Sequence, residues 1–247
     1  MVRFVSFLLI ALLATPLASA AVPVLVICTL DQPFLPFTHP DGSGLAQQAI
    51  RNAAAGLPVQ LKWVTAPRRR CVADLSTNTT QGLVAAYDLQ RTAYTAYPMR
   101  NGQPDRQRNV AMVRVRFYVR SASPLSWDGN KLGGVADPLV GVQAGFVYAN
   151  DLLQHGIRAD EGAPGLDAQF AKLANGRVDA VAAMENEAAP LIAQRYPGQI
   201  RALEPVFEDI PLYLAVSLPF YQQNRALVET IWSRLAPPPR QPASRAR

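Results

Sequence analysis

Hydrophobic positions along the chain switch between a strand-like and a helix-like period, and the switches mark out its elements. Val24 to Thr29 is an unbroken apolar run of the buried-strand kind, and Gly44 to Ala55 places Leu45, Ala49 and Ala53 at helical spacing. A second strand is predicted over Val59 to Val64, a short helix over Arg70 to Ser76 and a third strand over Gly82 to Ala86. This β-α-β-α-β order predicts an α/β unit with a parallel sheet. Asn109 to Arg120 then alternates strictly, Val113, Val115 and Phe117 against Arg114, Arg116 and Tyr118, which predicts a long, half-exposed strand.

The same grammar returns in the second half. Strands are predicted at Leu139 to Val142 and Val178 to Ala182, and helices at Tyr148 to His155, Asp167 to Ala174 and Glu187 to Arg195. Asn175-Gly176 and Pro197-Gly198 close the last two helices. A strand over Ile210 to Ser217 and an amphipathic helix over Gln222 to Leu235 complete the pattern, and Pro237-Pro238-Pro239 opens a tail, 237 to 247, expected to be disordered. The two units are alike in plan without a detectable sequence repeat.

The amino terminus changes the picture by setting a compartment. Arg3, the apolar run Phe4 to Leu13 and the small-residue site Ala18-Ser19-Ala20 form the three parts of a secretory signal peptide, residues 1 to 20. The run falls short of the roughly 20 residues that span a bilayer, so a membrane anchor is the weaker reading. About 225 residues remain of the 247, enough for one large or two small domains. The net charge of +6 is carried by arginine, with lysine only at Lys62, Lys131 and Lys172. The arginines are scattered and no aromatic-basic strip is present, so nucleic acid is not an expected partner.

Cys28 and Cys71 are the whole thiol inventory, and in an oxidising compartment an even count favours a disulfide. Closing a loop of roughly forty residues stabilises by about 4 kcal/mol in the loop-entropy model. A metal-binding thiol is disfavoured, since neither His39 nor His155 stands at zinc-ligand spacing from a cysteine. No metal and no cofactor is expected.

With these elements in place, several motifs in order carry a resemblance. They are C-x-L-D-Q-P-F-x-P-F from Cys28, R-C-V-A-D-L from Arg70, G-L-V-A-A-Y from Gly82 with Arg91 and Tyr97-Pro98 following, W-D-G at Trp127 and G-R-V-D-A-V at Gly176. The chain resembles the extracellular solute-binding proteins of family 3, in a divergent branch with an R-C pair. The resemblance implies a type II periplasmic binding fold, α/β, with two mostly parallel sheets joined by two crossing hinge strands, Asn109 to Arg120 and Glu208 to Ser217. Lobe one would comprise 21 to 117 and 205 to 236, and lobe two 118 to 204.

It further implies a periplasmic monomer that captures a small carboxylate-bearing or amino-acid-like solute for an ABC importer permease or a membrane sensor. Arg91 would grip the carboxylate, because a planar guanidinium offers two parallel N–H bonds and stays charged when desolvated. Phe34, Phe37 and Tyr87 could line the site, Asp31 could take an ammonium group, and Gly145-Phe146 would form the lobe-two loop. Two hydroxyls of the usual pattern are replaced, by Ala86 and by Phe146-Val147, and Met184 stands where an aspartate is usual, with Glu185 beside it as a substitute. A noncatalytic accessory protein that engages another exported protein is the alternative function. An enzyme of dehydratase kind on this scaffold is less favoured, as no nucleophile-base pair or metal cluster is legible, and catalysis is not expected.

Overall fold

The computed structural model describes residues 22–143 and 148–235. The signal-peptide segment, Gly145, Phe146 and the tail lie outside the described residues. Strands come first as β1 (Val24–Leu30), β2 (Gln60–Ala66) and β3 (Gly82–Ala86), with α1 (Leu45–Ala54) and α2 (Arg68–Ser76) between them. Short strands β4 (Thr95–Ala96), β5 (Met99–Arg100) and β6 (Gln103–Pro104) lead to the long β7 (Ala111–Arg120). The hairpin strands β8 (Ser126–Trp127) and β9 (Leu132–Gly133) follow, then β10 (Leu139–Val142), α3 (Tyr148–Gln154), β11 (Arg158–Asp160), α4 (Leu166–Ala174), β12 (Ala180–Met184) and α5 (Glu185–Arg195). The chain finishes with β13 (Ile200–Ala202), β14 (Glu208–Ser217), α6 (Leu218–Gln223) and α7 (Arg225–Arg234).

The main sheet runs β11-β10-β12-β7-β14-β3-β1-β2. Pairing is parallel within β2-β1-β3 and within β11-β10-β12, and antiparallel wherever β7 or β14 takes part. The two expected sheets thus run into one another through the β7–β14 pair. Register then creates the crevice. Ala111 of β7 lies level with Leu212, which pairs with Ala86, the last residue of β3. Further along β7, Val115 pairs with Met184, the last residue of β12. The carboxyl ends of the two parallel sets therefore face each other across a gap crossed only by the stretches 112–114 and 209–211 of the main sheet. At ~3.3 Å per residue the step from Ala111 to Val115 is roughly 13 Å.

One contiguous buried cluster crosses that junction, from Leu25, Ile27 and Ile50 through Val113, Val115 and Phe117 to Val140, Tyr148 and Leu152. The other face of the second lobe buries Tyr118, Phe170, Leu173, Val181 and Ala188 separately. Burial of this kind, rather than helix propensity, fixes the short helices on the sheet.

Three sequence expectations need correction. The strand Ala111–Arg120 is not half-exposed: Arg116 and Tyr118 are 6% and 3% exposed, because α4 and α5 cover the face that alternation assigned to solvent. The C-terminal helix is two helices, broken at the non-helical Asn224 (φ −127°, ψ 33°), and the first opens with a proline in its first turn, where no N–H is needed. The strand predicted from Val178 begins at Ala180, since Asp179 bonds Leu139 both through its own N–H and through its carboxylate, which accepts the Leu139 N–H.

Cys28 and Cys71, 43 positions apart in sequence, are joined, with Cα atoms 5.5 Å apart. The bond ties β1 to α2 beneath the loops that carry the candidate site. Replacing both cysteines by serine is expected to lower the unfolding free energy by about 2–5 kcal/mol in reversible urea denaturation. A loss below about 1 kcal/mol would show that the tie adds little.

Candidate functional site

Two walls face the gap. On one side stand the segments that follow β1, β2 and β3, namely the 31–38 loop, the start of α2 and residues 87–93. On the other stands the start of α5, which follows β12. Ligands of open α/β sheets bind at such carboxyl ends.

Arg91 sits in the 3-10 turn Gln90–Ala93, directly after β3. Its side chain is 10% exposed and is held on three sides. Nη1 donates to the Ala86 carbonyl at 3.0 Å and to the Tyr97 hydroxyl at 3.1 Å, and Nη2 donates to Asp88 at 3.3 Å. A guanidinium has five N–H donors, so the Nε–H and one Nη2 hydrogen are left uncommitted among the described residues. Desolvation opposes the charge of Arg91, yet Tyr97 and Asp88 more than offset it and raise its pKa. Burial raises the pKa of the Tyr97 hydroxyl. Exposed Arg68 lies near enough to feel both Arg91 and Asp88, whereas Arg70 is paired with Asp74 on its own helix.

The other candidates divide. Tyr87 is part-buried and packs edge-on against Tyr97 at 5.2 Å, so it borders the arginine. Phe37 is 6% exposed and packs in the core with Ala46 and Ile50. Phe34 packs on Phe37 at 5.5 Å and remains part-exposed. Asp31 is exposed, with its N–H bonded to the Ala66 carbonyl and its carboxylate free of partners among the described residues. Glu185 stands on the opposite wall but is already engaged, 3.2 Å from Arg116 and 3.6 Å from Arg114. Arg116 is buried, and Glu204 at 2.7 Å completes its compensation. A buried cation so paired is costly to strip of one partner. Glu185 is therefore first of all a counter-ion of the hinge strand.

Sequence reasoning missed three participants. Asp88 stands three residues before Arg91, a spacing at which turn residues meet, so its pairing had a visible signal. Tyr97 had none, because only the β3–β14–β4 register brings it beside Arg91. Asn186, on the far wall, donates through Nδ2 to the Leu35 carbonyl at 2.8 Å, across the gap. Among the described residues no group of three or more His, Cys, Asp or Glu could hold a metal ion. A cavity of about 250 Å³ lined by Ala163, Lys172 and Arg177 lies beside α4, away from these walls.

The junction also carries an acid pair. Glu208, the first residue of β14, has a buried carboxyl oxygen that no donor meets among the described residues, and it lies within hydrogen-bond reach of Asp151 on α3. Burial first, and Asp151 second, push its pKa from 4.5 up to about 7. A carboxyl whose folded pKa is raised adds stability that is whole below about pH 4.5 and is lost as pH rises through about 7. Thermal unfolding followed from pH 4.5 to 8 should show this loss. Glu208→Gln, whose amide supplies the missing donor, should flatten the profile and gain on the order of 1–3 kcal/mol at pH 8. An unchanged slope in that variant would remove Glu208 as its origin.

No family model matches the sequence, and no curated protein matches it. Solved structures do. The L-cystine solute receptor of Neisseria gonorrhoeae, in its unliganded open conformation, superposes with a TM-score of 0.59 at 14% identity over 87% of this chain and 86% of that one. The periplasmic VFT2 domain of Bordetella pertussis BvgS gives 0.57 at 14% identity over 86% of each chain. The GluR0 ligand-binding core from Nostoc punctiforme, in complex with L-glutamate, gives 0.54 at 16% identity over 85% and 96%. At such identities the likeness establishes the fold, a two-lobed α/β architecture of the type II periplasmic binding kind.

Proposed function

We propose that this chain is an exported solute-binding protein that captures a small carboxylate-bearing or amino-acid-like solute between its lobes. It passes that solute, or the news of it, to an ABC importer or a membrane sensor. The observation that carries the reading is Arg91, fixed by Ala86, Tyr97 and Asp88 at a strand's carboxyl end with two N–H donors unspent. Preorganisation of this kind spares the ligand the cost of ordering the side chain. Lobe one is taken as 21–117 with 205–236 and lobe two as 118–204, so that closure turns on the hinge stretches between them. Tyr87, packed on Tyr97, stands beside the arginine, Phe34 lines the site from the loop after β1, and the uncommitted carboxylate of Asp31 is suited to an ammonium group.

Two further observations support a binder over an enzyme. The solved structures named above are described as a solute receptor, a periplasmic domain and a ligand-binding core. Glu185, the acid on the far wall, is consumed as a counter-ion of Arg114 and Arg116. The signal-peptide pattern supports export to the periplasm, where the chain is proposed to act as a monomer.

A differential-scanning screen of amino acids and organic acids tests the reading. A true ligand at a hundredfold its Kd adds about 2.7 kcal/mol, which raises the melting temperature of a protein this size by roughly 5–10 °C. Arg91→Ala should weaken that ligand roughly 10- to 100-fold, the worth of a charged hydrogen bond, and Arg91→Lys should recover only part because the fork is lost. A screen without any shift, or Arg91→Ala binding as tightly as the parent, would contradict the proposal.

A further inference from the structure

From Phe34 to Thr38 the turn after β1 spends its carbonyls on backbone N–H groups with one exception. The Phe34 carbonyl accepts from Phe37 and Thr38, Pro36 from Leu45, Phe37 from Ala46 and Thr38 from Phe34. Leu35 is 56% exposed, and among the described residues its carbonyl meets only one donor, Asn186 Nδ2 at 2.8 Å. A carbonyl can only accept, so the amide must turn its NH₂ toward Leu35. The far wall positions that amide for equally local reasons. Met184 ends β12, Glu185 is drawn onto Arg114 and Arg116, and the helix then carries the next side chain about 100° around its axis. The Asn186 Oδ1 atom is buried and meets no donor among the described residues, and turning the amide over would set it against the Leu35 carbonyl oxygen.

We infer that Asn186 is a clasp that joins the two walls by a direct protein–protein hydrogen bond and holds the crevice shut before any solute arrives. The Leu35–Asn186 bond spans 151 positions of sequence and links the loop after β1 to the start of α5, segments that belong to opposite parallel sets. Part of the charge nearest the gap is met in the same ligand-independent way: Glu185 is paired with the hinge arginines, and Arg91 is held by Asp88 and Tyr97 while two of its N–H groups stay unspent. A solute then adds to a closure already favoured, and only its differential contacts shift the equilibrium further.

The test needs no solute, so its outcome is separate from the fate of the binding proposal. Spin labels placed at exposed Arg69 on α2 and exposed Gln194 on α5 report the distance between the walls in pulsed electron resonance. The unliganded parent should show mainly the short distance. Asn186→Ala should raise the ratio of long to short distances roughly two- to tenfold, the effect of one net hydrogen bond. Asn186→Asp, an acceptor only when ionised, should match the alanine variant at pH 7. It should move back toward the short distance at pH 4, near the aspartic acid pKa of about 3.9. The parent and Asn186→Ala at both pH values correct for Glu185 and Glu187 nearby, and unchanged melting temperatures show that the fold is kept. Identical distance distributions in all three proteins, or an aspartate variant that ignores pH, would overturn the clasp.

Discussion

The register of β7 against β14 is the constraint on which the rest depends. Each strand is long enough to pair at one end with a parallel set and at the other with its hinge partner, and the offset between Ala111 and Val115 leaves the two sets end to end rather than side by side. A shift of two residues would keep every apolar side chain on its face while closing or widening the gap by roughly 7 Å. The crevice is thus a consequence of strand length and register. The hydrophobic cluster that runs through the junction makes that register costly to change.

Electrostatics follows from the same arrangement. Arg114 and Arg116 project from β7 where helices and acids of the second lobe cover them, so Glu185 and Glu204 are recruited as partners. Arg91, at the end of β3, meets a different set in Asp88, Tyr97 and the Ala86 carbonyl. One arginine type therefore plays two parts. On the hinge strand the cation is neutralised by its own protein, and at the rim it is aligned but left with donors to offer.

Element types and their order were largely legible, because strands such as Val24–Leu30 and Gly82–Ala86 are short apolar runs between clear turn signals. The cysteine pair and the placement of Arg91 after the third strand were legible too. What could not be read were the facts that long-range pairing decides. Alternation in Ala111–Arg120 looks the same whether its polar face meets water or helices, and the structure covers it. Phe34 and Phe37 are three residues apart in one loop, yet the first borders the gap and the second fills the core beside α1. The engagement of Glu185, the contact of Tyr97 with Arg91 and the reach of Asn186 to Leu35 all join residues whose separation in sequence gives no hint of contact.

The most direct measurement of the central claim, a solute held between the two parallel sets by the rim arginine, is native mass spectrometry of the protein recovered from its own host. The account predicts a parent ion heavier than the processed polypeptide by the mass of one small solute, and an Arg91→Ala protein from the same host without that excess. An excess retained equally by both, or a parent that carries a second polypeptide and no small molecule, would contradict it.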